Sequence, residues 1–207
     1  MNRPLGRGIL YSIIDLFEEN YKTAIISGQE KFTYQDIFRQ AVINLRKYRE
    51  ENILPGQITS IESDFSFFSI CDFFSLLENR NIVVPLDVSN EKEKKERLKE
   101  AGVQTRIEYV NEKESVVHRE SEREQNLEII EAFRKTGDAG LVLFSSGSTG
   151  KPKAILKNLS LIVKKYINNK ASYRTATIMR FDHQGGVDVL LRILLAGGTF
   201  VVSNERT

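Results

Sequence analysis

Apolar and polar positions alternate along the chain with a period that keeps changing between helical and extended. Ile9, Leu10, Ile13, Ile14 and Phe17 recur at three- and four-residue spacing, which predicts an amphipathic helix. Thr23–Ser27 and residues 31–33 read as short strands about a Gly28-Gln29 turn. Thr33 then sits where an N-cap belongs, ahead of a helix from Tyr34 whose core stripe is Ile37, Phe38, Ala41, Val42 and Leu45. Pro55-Gly56 closes that unit. Beyond it, Ile58–Glu62 predicts a buried strand, and Asp64 is the expected cap of a helix rich in phenylalanine (Phe65, Phe67, Phe68, Phe73, Phe74), read as core packing.

The same alternation continues to the end. Residues 82–86 predict an apolar strand and 90–101 a helix, whose run of alternating charges from Glu91 to Arg97 predicts a solvated face with i,i+4 pairs. A strand is expected at 105–110, an exposed strand-loop excursion at 112–125, and a helix at 127–135. Residues 141–144 read as a strand running into a glycine-rich loop, with a further strand at 154–156. A helix at 159–168, a strand at 175–181, a helix at 187–196 and the strand Thr199–Val202 complete the pattern. Helices alternating with apolar strands, without repeats or low-complexity linkers, predict an α/β fold of layered, largely parallel sheets with helices on both faces. The expected division is a leading α/β region at 1–126 and a phosphate-loop and substrate-pocket region at 127–207. The last strand has no closing helix, so the sheet is expected to need further chain.

Composition narrows the function. The 207 residues are 41% hydrophobic and 28% charged, the ordinary balance of a soluble domain with a real core. Thirty basic residues against twenty-eight acidic ones leave a net charge of +2, too little to point to nucleic acid or an anionic membrane. The single cysteine, Cys71, forms no internal disulfide and lacks zinc-site spacing, so a buried thiol in a reducing cytoplasm is expected. Arg3 and Arg7 precede apolar residues, but Asp15, Glu18 and Glu19 interrupt that stretch, and no run is long enough for a membrane span. A cytoplasmic protein follows as the expectation.

The loop carries the chemistry. Ser145, Ser146, Gly147, Ser148, Thr149, Gly150, Lys151, Pro152 and Lys153 follow an apolar strand. Small residues let backbone N–H groups approach an anion, hydroxyls add donors, and Lys151 or Lys153 adds charge. Each such bond to a phosphate oxygen contributes about 1.5–3 kcal/mol. Spacing excludes a Walker A loop, because Ser145 stands where its first glycine belongs and Pro152 follows Lys151. A dinucleotide fingerprint opens a helix, whereas Pro152 and the apolar residues after it predict a strand.

In its order of hydroxyls, glycines, proline and lysine this segment resembles the phosphate-binding signature of the adenylate-forming (AMP-binding) superfamily, which holds acyl-CoA synthetases, peptide-synthetase adenylation domains and luciferases. Phe32-Thr33-Tyr34, the strand ending Val84-Pro85-Leu86-Asp87, and Phe181-Asp182-His183-Gln184-Gly185-Gly186 with Gly197-Gly198-Thr199 are similar to further family segments, in family order. The resemblance implies the N-terminal portion of an ATP-dependent carboxylate ligase of acyl-CoA synthetase type. Such an enzyme forms an acyl-adenylate and passes the acyl group to a thiol of coenzyme A or of a carrier protein's phosphopantetheine. It implies that Ser145–Gly150, Lys151 and Lys153 hold the ATP phosphates, that Mg2+ bridges those phosphates, and that His183, Asp182 and Gly185 line the pocket of a small carboxylate. The catalytic lysine, the magnesium and ribose motifs and the lid domain are expected outside these residues. Lys135-Thr136-Gly137-Asp138 mimics the ribose motif on the wrong side of the loop and is read as coincidence. The alternative is a truncated or split homologue that binds nucleotide or a partner without turnover.

Overall fold

The computed structural model describes residues 13–111, 113–120, 127–146, 152–167 and 173–203. Its strands are β1 (Thr23–Ser27), β2 (Glu30–Thr33), β3 (Ile58–Glu62), β4 (Ile82–Pro85), β5 (Thr105–Tyr109), β6 (Ser115–Arg119), β7 (Gly140–Ser146), β8 (Pro152–Asn158), β9 (Arg174–Ala176) and β10 (Thr199–Val202). The helices are α1 (Tyr34–Glu50), α2 (Phe67–Glu78), α3 (Glu91–Ala101), α4 (Leu127–Arg134), α5 (Leu159–Ile167) and α6 (Gln184–Leu194). Of the first expected helix, only the 3-10 turn Ile13–Leu16 lies within the described residues.

Two mixed, mostly parallel sheets result. One runs β6-β5-β3-β4-β7-β8, with β5, β3, β4 and β7 parallel and the edges β6 and β8 antiparallel. The other runs β2-β1-β10-β9, parallel except for β2. Each therefore draws strands from both the early and the late part of the sequence. In the larger sheet side chains alternate faces at every residue. Ile58, Ile82, Val84 and Val142 pack with Leu98 and Ala101 of α3 and Ile130 of α4. Ile61, Val83, Ile107, Leu141 and Leu143 face the other way, into a core built from α1, α2, α5 and α6. That core also takes Ala24 and Ile25 of β1 and Phe200 and Val202 of β10, so it joins the two sheets. Burial on both faces explains why β4 and β7 read as apolar runs.

Local signals account for the element ends. The Thr33 hydroxyl accepts from the Asp36 N–H while Asp36 Oδ2 accepts from the Thr33 N–H at 2.7 Å, a reciprocal capping box. Asn90 caps α3, and Gly102 ends it at φ 66°, a left-handed turn glycine adopts without strain. The cap of α2 is Ser66, not Asp64; Ser66 and Ser69 bond reciprocally. Asp64 is used at longer range, where its Oδ1 accepts from the Phe181 N–H at 3.0 Å. The strand expected at 175–181 is only Arg174–Ala176, because Thr177–Phe181 leaves that sheet for contacts with Asp64 and Asp87 at the ends of β3 and β4. Helix α6 accordingly begins at Gln184, three residues before the apolar stripe that announced it.

Among the described residues no helix is long and apolar enough to cross a membrane. Cys71 is fully buried in α2.

Candidate functional site

Strands β3, β4 and β7 run parallel, so their C-terminal ends share one edge of the sheet, the usual place for a ligand in an α/β fold. The expected loop begins at that edge. Strands β7 and β8 form an antiparallel hairpin with Ser145 opposite Lys153 and Ser146 opposite Pro152. A half-buried Ser145 and an exposed Lys153 therefore stand at its mouth. Gly147, Ser148, Thr149, Gly150 and Lys151 lie outside the described residues. The 135–138 ribose mimic is a turn at the opposite end of β7, where the Asp138 N–H donates to Thr136 Oγ1.

The second predicted segment crosses the same edge. Arg180 Nε lies 3.7 Å from Asp87 Oδ2, just after β4. Asp182 is 1% exposed at its side chain; its Oδ2 accepts from Arg97 Nη1 at 3.2 Å and from Arg180 Nη2 at 3.3 Å. His183, 58% exposed, stands at the N-cap of α6 without a side-chain capping bond, its Nε2 3.6 Å from Asp182 Oδ1. Gly185 follows in the first turn, and Gln184 Oε1 accepts from Lys157 Nζ of β8 at 2.5 Å. The structure thus brings Ser145, Lys153, Asp182, His183 and Gly185 onto two neighbouring segments. Tyr34, from the Phe32-Thr33-Tyr34 segment, is buried on the other side of the core. Its hydroxyl donates to Gly198 O at 2.6 Å and Leu194 O at 3.0 Å, pinning the Gly197-Gly198 turn.

Sequence reasoning missed two features. The charge run of α3 is not wholly solvated. The expected Glu93–Arg97 pair forms at 2.6 Å, but Arg97 and Lys94 reach inward to the sheet edge. Arg97 also lies with its guanidinium carbon 5.2 Å from the centre of the Phe144 ring. The second is an ion-pair cluster on Glu62, at the end of β3. Glu62 is 4% exposed at its side chain and takes Arg106 through two nitrogens and Lys94 Nζ at 2.8 Å. No spacing signal marks either, since the partners come from separate elements.

Burial alone would raise the Glu62 carboxyl pKa; hydrogen bonds and charge from Arg106 and Lys94 outweigh it and hold the group below its ordinary value. A depressed folded pKa supplies stability that is complete above the unfolded value, about 4.3, and is lost as pH falls through the folded one. Glu62→Gln is therefore expected to flatten the loss of stability in acid. Urea midpoints measured at pH steps from about 5 downward check this; an unchanged slope would count against it.

No protein-family model matches the chain. It is 23% identical over 207 residues to bacitracin synthase 1 of Bacillus licheniformis, covering 91% of this chain and 4% of that protein. Gramicidin S synthase 2 of Brevibacillus brevis is 23% identical over 211 residues, with 91% and 5% covered. The Klebsiella oxytoca NpsA N-terminal subdomain in complex with 3-hydroxyanthranilyl-AMSN superposes with a TM-score of 0.74 at 21% identity, over 92% of this chain and 52% of that one. The N-terminal domain of FACL13 from Mycobacterium tuberculosis gives 0.69 at 11% identity, over 93% and 56%. The fold is that of the N-terminal subdomain of an adenylate-forming enzyme. The chain is related to that superfamily through the adenylation domains of peptide synthetases, which are AMP-forming ligases, and covers only part of the parent fold. It spans about half the length of these solved structures and a small fraction of the curated relatives.

Proposed function

We propose that this chain supplies the phosphate grip and one wall of the acid pocket of an ATP-dependent carboxylate ligase that makes an acyl-adenylate. The observation that carries this reading is the juxtaposition at one sheet edge of the β7–β8 hairpin, with Ser145 and Lys153 at its mouth, and the Asp182-His183 segment. A hydroxyl and an ammonium in register at a hairpin mouth suit an anion, so the donor set fits ATP phosphates. Ser145, Ser146, the backbone of 147–150 and the side chains of Ser148, Thr149, Lys151 and Lys153 hold them. Among the described residues no group of three or more carboxylate, histidine or cysteine side chains is placed to hold a metal. Mg2+ would supply charge neutralisation at those phosphates, with its protein ligands expected outside these residues.

On the acid side, His183 is the exposed polar group at the start of α6, with Gly185 beside it packed against the Met179 side chain. Asp182 is engaged by two guanidinium groups and is closed to a substrate ammonium. The pocket therefore suits an acyl or aryl acid without a free amine. The acyl acceptor is a thiol, of coenzyme A or of a carrier protein's phosphopantetheine.

Thr149→Ala and Lys153→Ala are each expected to weaken ATP binding by about 10- to 100-fold, the loss of one charge-assisted bond. Titration calorimetry with ATP reads this out, and unchanged affinity would remove the loop's assigned role. Carboxylate-dependent exchange of pyrophosphate into ATP by the protein that carries this chain tests the reaction. Absence of exchange across a broad acid panel would defeat the ligase reading.

A further inference from the structure

We propose that Arg97 is a positioning residue that fixes the acid segment against the strand carrying the phosphate loop. The proposal rests on the nucleotide-binding reading above. Arg97 touches both halves of the site: its guanidinium lies over Phe144, the residue before Ser145, and its Nη1 donates to Asp182, the residue before His183. Glu93 fixes its angle from one turn back on α3. A planar guanidinium can stack on a ring and bond a carboxylate at once, which a lysine ammonium cannot reproduce.

The pair is a poor device for stability alone. Arg97 Nε and Asp182 Oδ1 are buried and find no hydrogen-bond partner among the described residues. An orphaned donor and an orphaned acceptor in one ion pair are costly, and apolar residues at such positions are commonly as stable or more so. What the arrangement provides is a rigid link over a separation of 85 residues in sequence, between Asp182 and α3. Adenylate formation requires the acid carboxylate and the α-phosphate to be held at a set distance and angle, so a tether between the two segments bears on that alignment. Binding at the loop then restrains the acid segment through Phe144, Arg97 and Asp182.

The test uses ATP as the only ligand, so the identity of the acid does not enter. Hydrogen exchange of the backbone N–H groups of 181–187 is followed with and without saturating ATP. In the unmodified protein ATP is expected to slow exchange there about five- to tenfold, the low end of ordinary coupling between sites. Arg97→Lys keeps the charge on Asp182 but loses the stack; Phe144→Leu keeps the ion pair but loses the ring. Each is expected to bind ATP within about twofold of the parent while the ATP-dependent protection of 181–187 disappears. Should Arg97→Lys fold poorly, Phe144→Leu decides. Full protection retained in the folded variants, or no protection in the parent despite ATP binding, overturns the tether and leaves the loop assignment standing. If the parent binds no ATP, the nucleotide-binding reading fails and the tether with it.

Discussion

Replacing Asp72 by alanine is expected to lower the unfolding free energy by about 3–5 kcal/mol, a large share of the 5–15 kcal/mol typical of a native domain. Asp72 lies in α2, almost fully buried, and its carboxylate is the hub of a network joining α1, α2 and β5. Oδ1 accepts from Tyr48 Oη at 2.6 Å and Asn44 Nδ2 at 2.8 Å, and Oδ2 accepts from Tyr109 Oη at 2.5 Å. Alanine leaves the Asn44 amide and the half-buried Tyr109 hydroxyl without this acceptor, and Tyr48 with only a long 3.4 Å bond to the backbone carbonyl of residue 72. Each loss costs about 1–3 kcal/mol, partly offset by removing a buried charge. Asp72→Asn keeps an acceptor and the shape, and its cost is expected to be about 1 kcal/mol, because the Tyr109 hydroxyl can turn and accept from the new amide. Urea denaturation of the two variants checks the ranking. A loss under about 1 kcal/mol for alanine would show that the network contributes no net stability.

The same group has a pH signature opposite in sign to that of Glu62. Burial raises the Asp72 pKa, against the hydrogen bonds of Tyr109 and Tyr48 and the charge of Lys47. A raised folded pKa gives a contribution that is complete below the unfolded value, about 3.9, and is lost as pH rises through the folded value. Asp72→Asn should remove that component while leaving the Glu62 component, which runs the other way, intact. Burial and the nearby carboxylate push the Tyr48 and Tyr109 hydroxyls well above their ordinary range, so both remain donors throughout.

Gly186→Ala is expected to cost about 3 kcal/mol or more, at the upper end of overpacking losses. A Cβ at Gly186 would lie 2.2 Å from the Arg180 carbonyl oxygen and 3.3 Å from that of Met179, both backbone. The Arg180 carbonyl cannot withdraw freely. It accepts from the His183 N–H at 3.2 Å, and Arg180 is followed by Phe181, whose N–H is held by Asp64. Gly185→Ala is the matched control. There the new methyl meets only the Met179 side chain, at 3.3 Å, which is half exposed and can swing aside. Alanine is preferred over glycine by about 1 kcal/mol in a helix, so Gly185→Ala should be neutral or slightly stabilising. Thermal unfolding of the pair provides the comparison. Equal behaviour would mean that the close approach at Gly186 does not constrain the segment. The Gly-Gly pair thus divides: Gly186 is demanded by packing, and only Gly185 is free to serve a ligand.

Much of this molecule was legible along the chain. Element types followed from period, because a helix or strand packed on one neighbour repeats its apolar face at a fixed interval. The Thr33 cap was readable because it acts on backbone within three residues. The order of hydroxyls and glycines from Ser145 to Gly150 carries the phosphate-loop proposal, and residues 147–151 lie outside the described structure. Two errors share one cause. Asp64 sat three residues from a helix start and looked like its cap, and Glu91–Arg97 alternated in sign and looked solvated. In both, the true partner lies far off in sequence: Phe181 for Asp64, Asp182 and Phe144 for Arg97.

The sequence by itself determined the succession of helices and strands, the apolar faces and the family resemblance, and it supplied the loop proposal. Tertiary structure alone decided which charges turn inward. Burying a carboxylate is tolerated only where donors from other elements converge, as Asn44, Tyr48 and Tyr109 do on Asp72 and Arg97 and Arg180 do on Asp182. That convergence depends on how α1, α3 and the 180–183 crossing seat against the sheets, and no spacing within a single element records it.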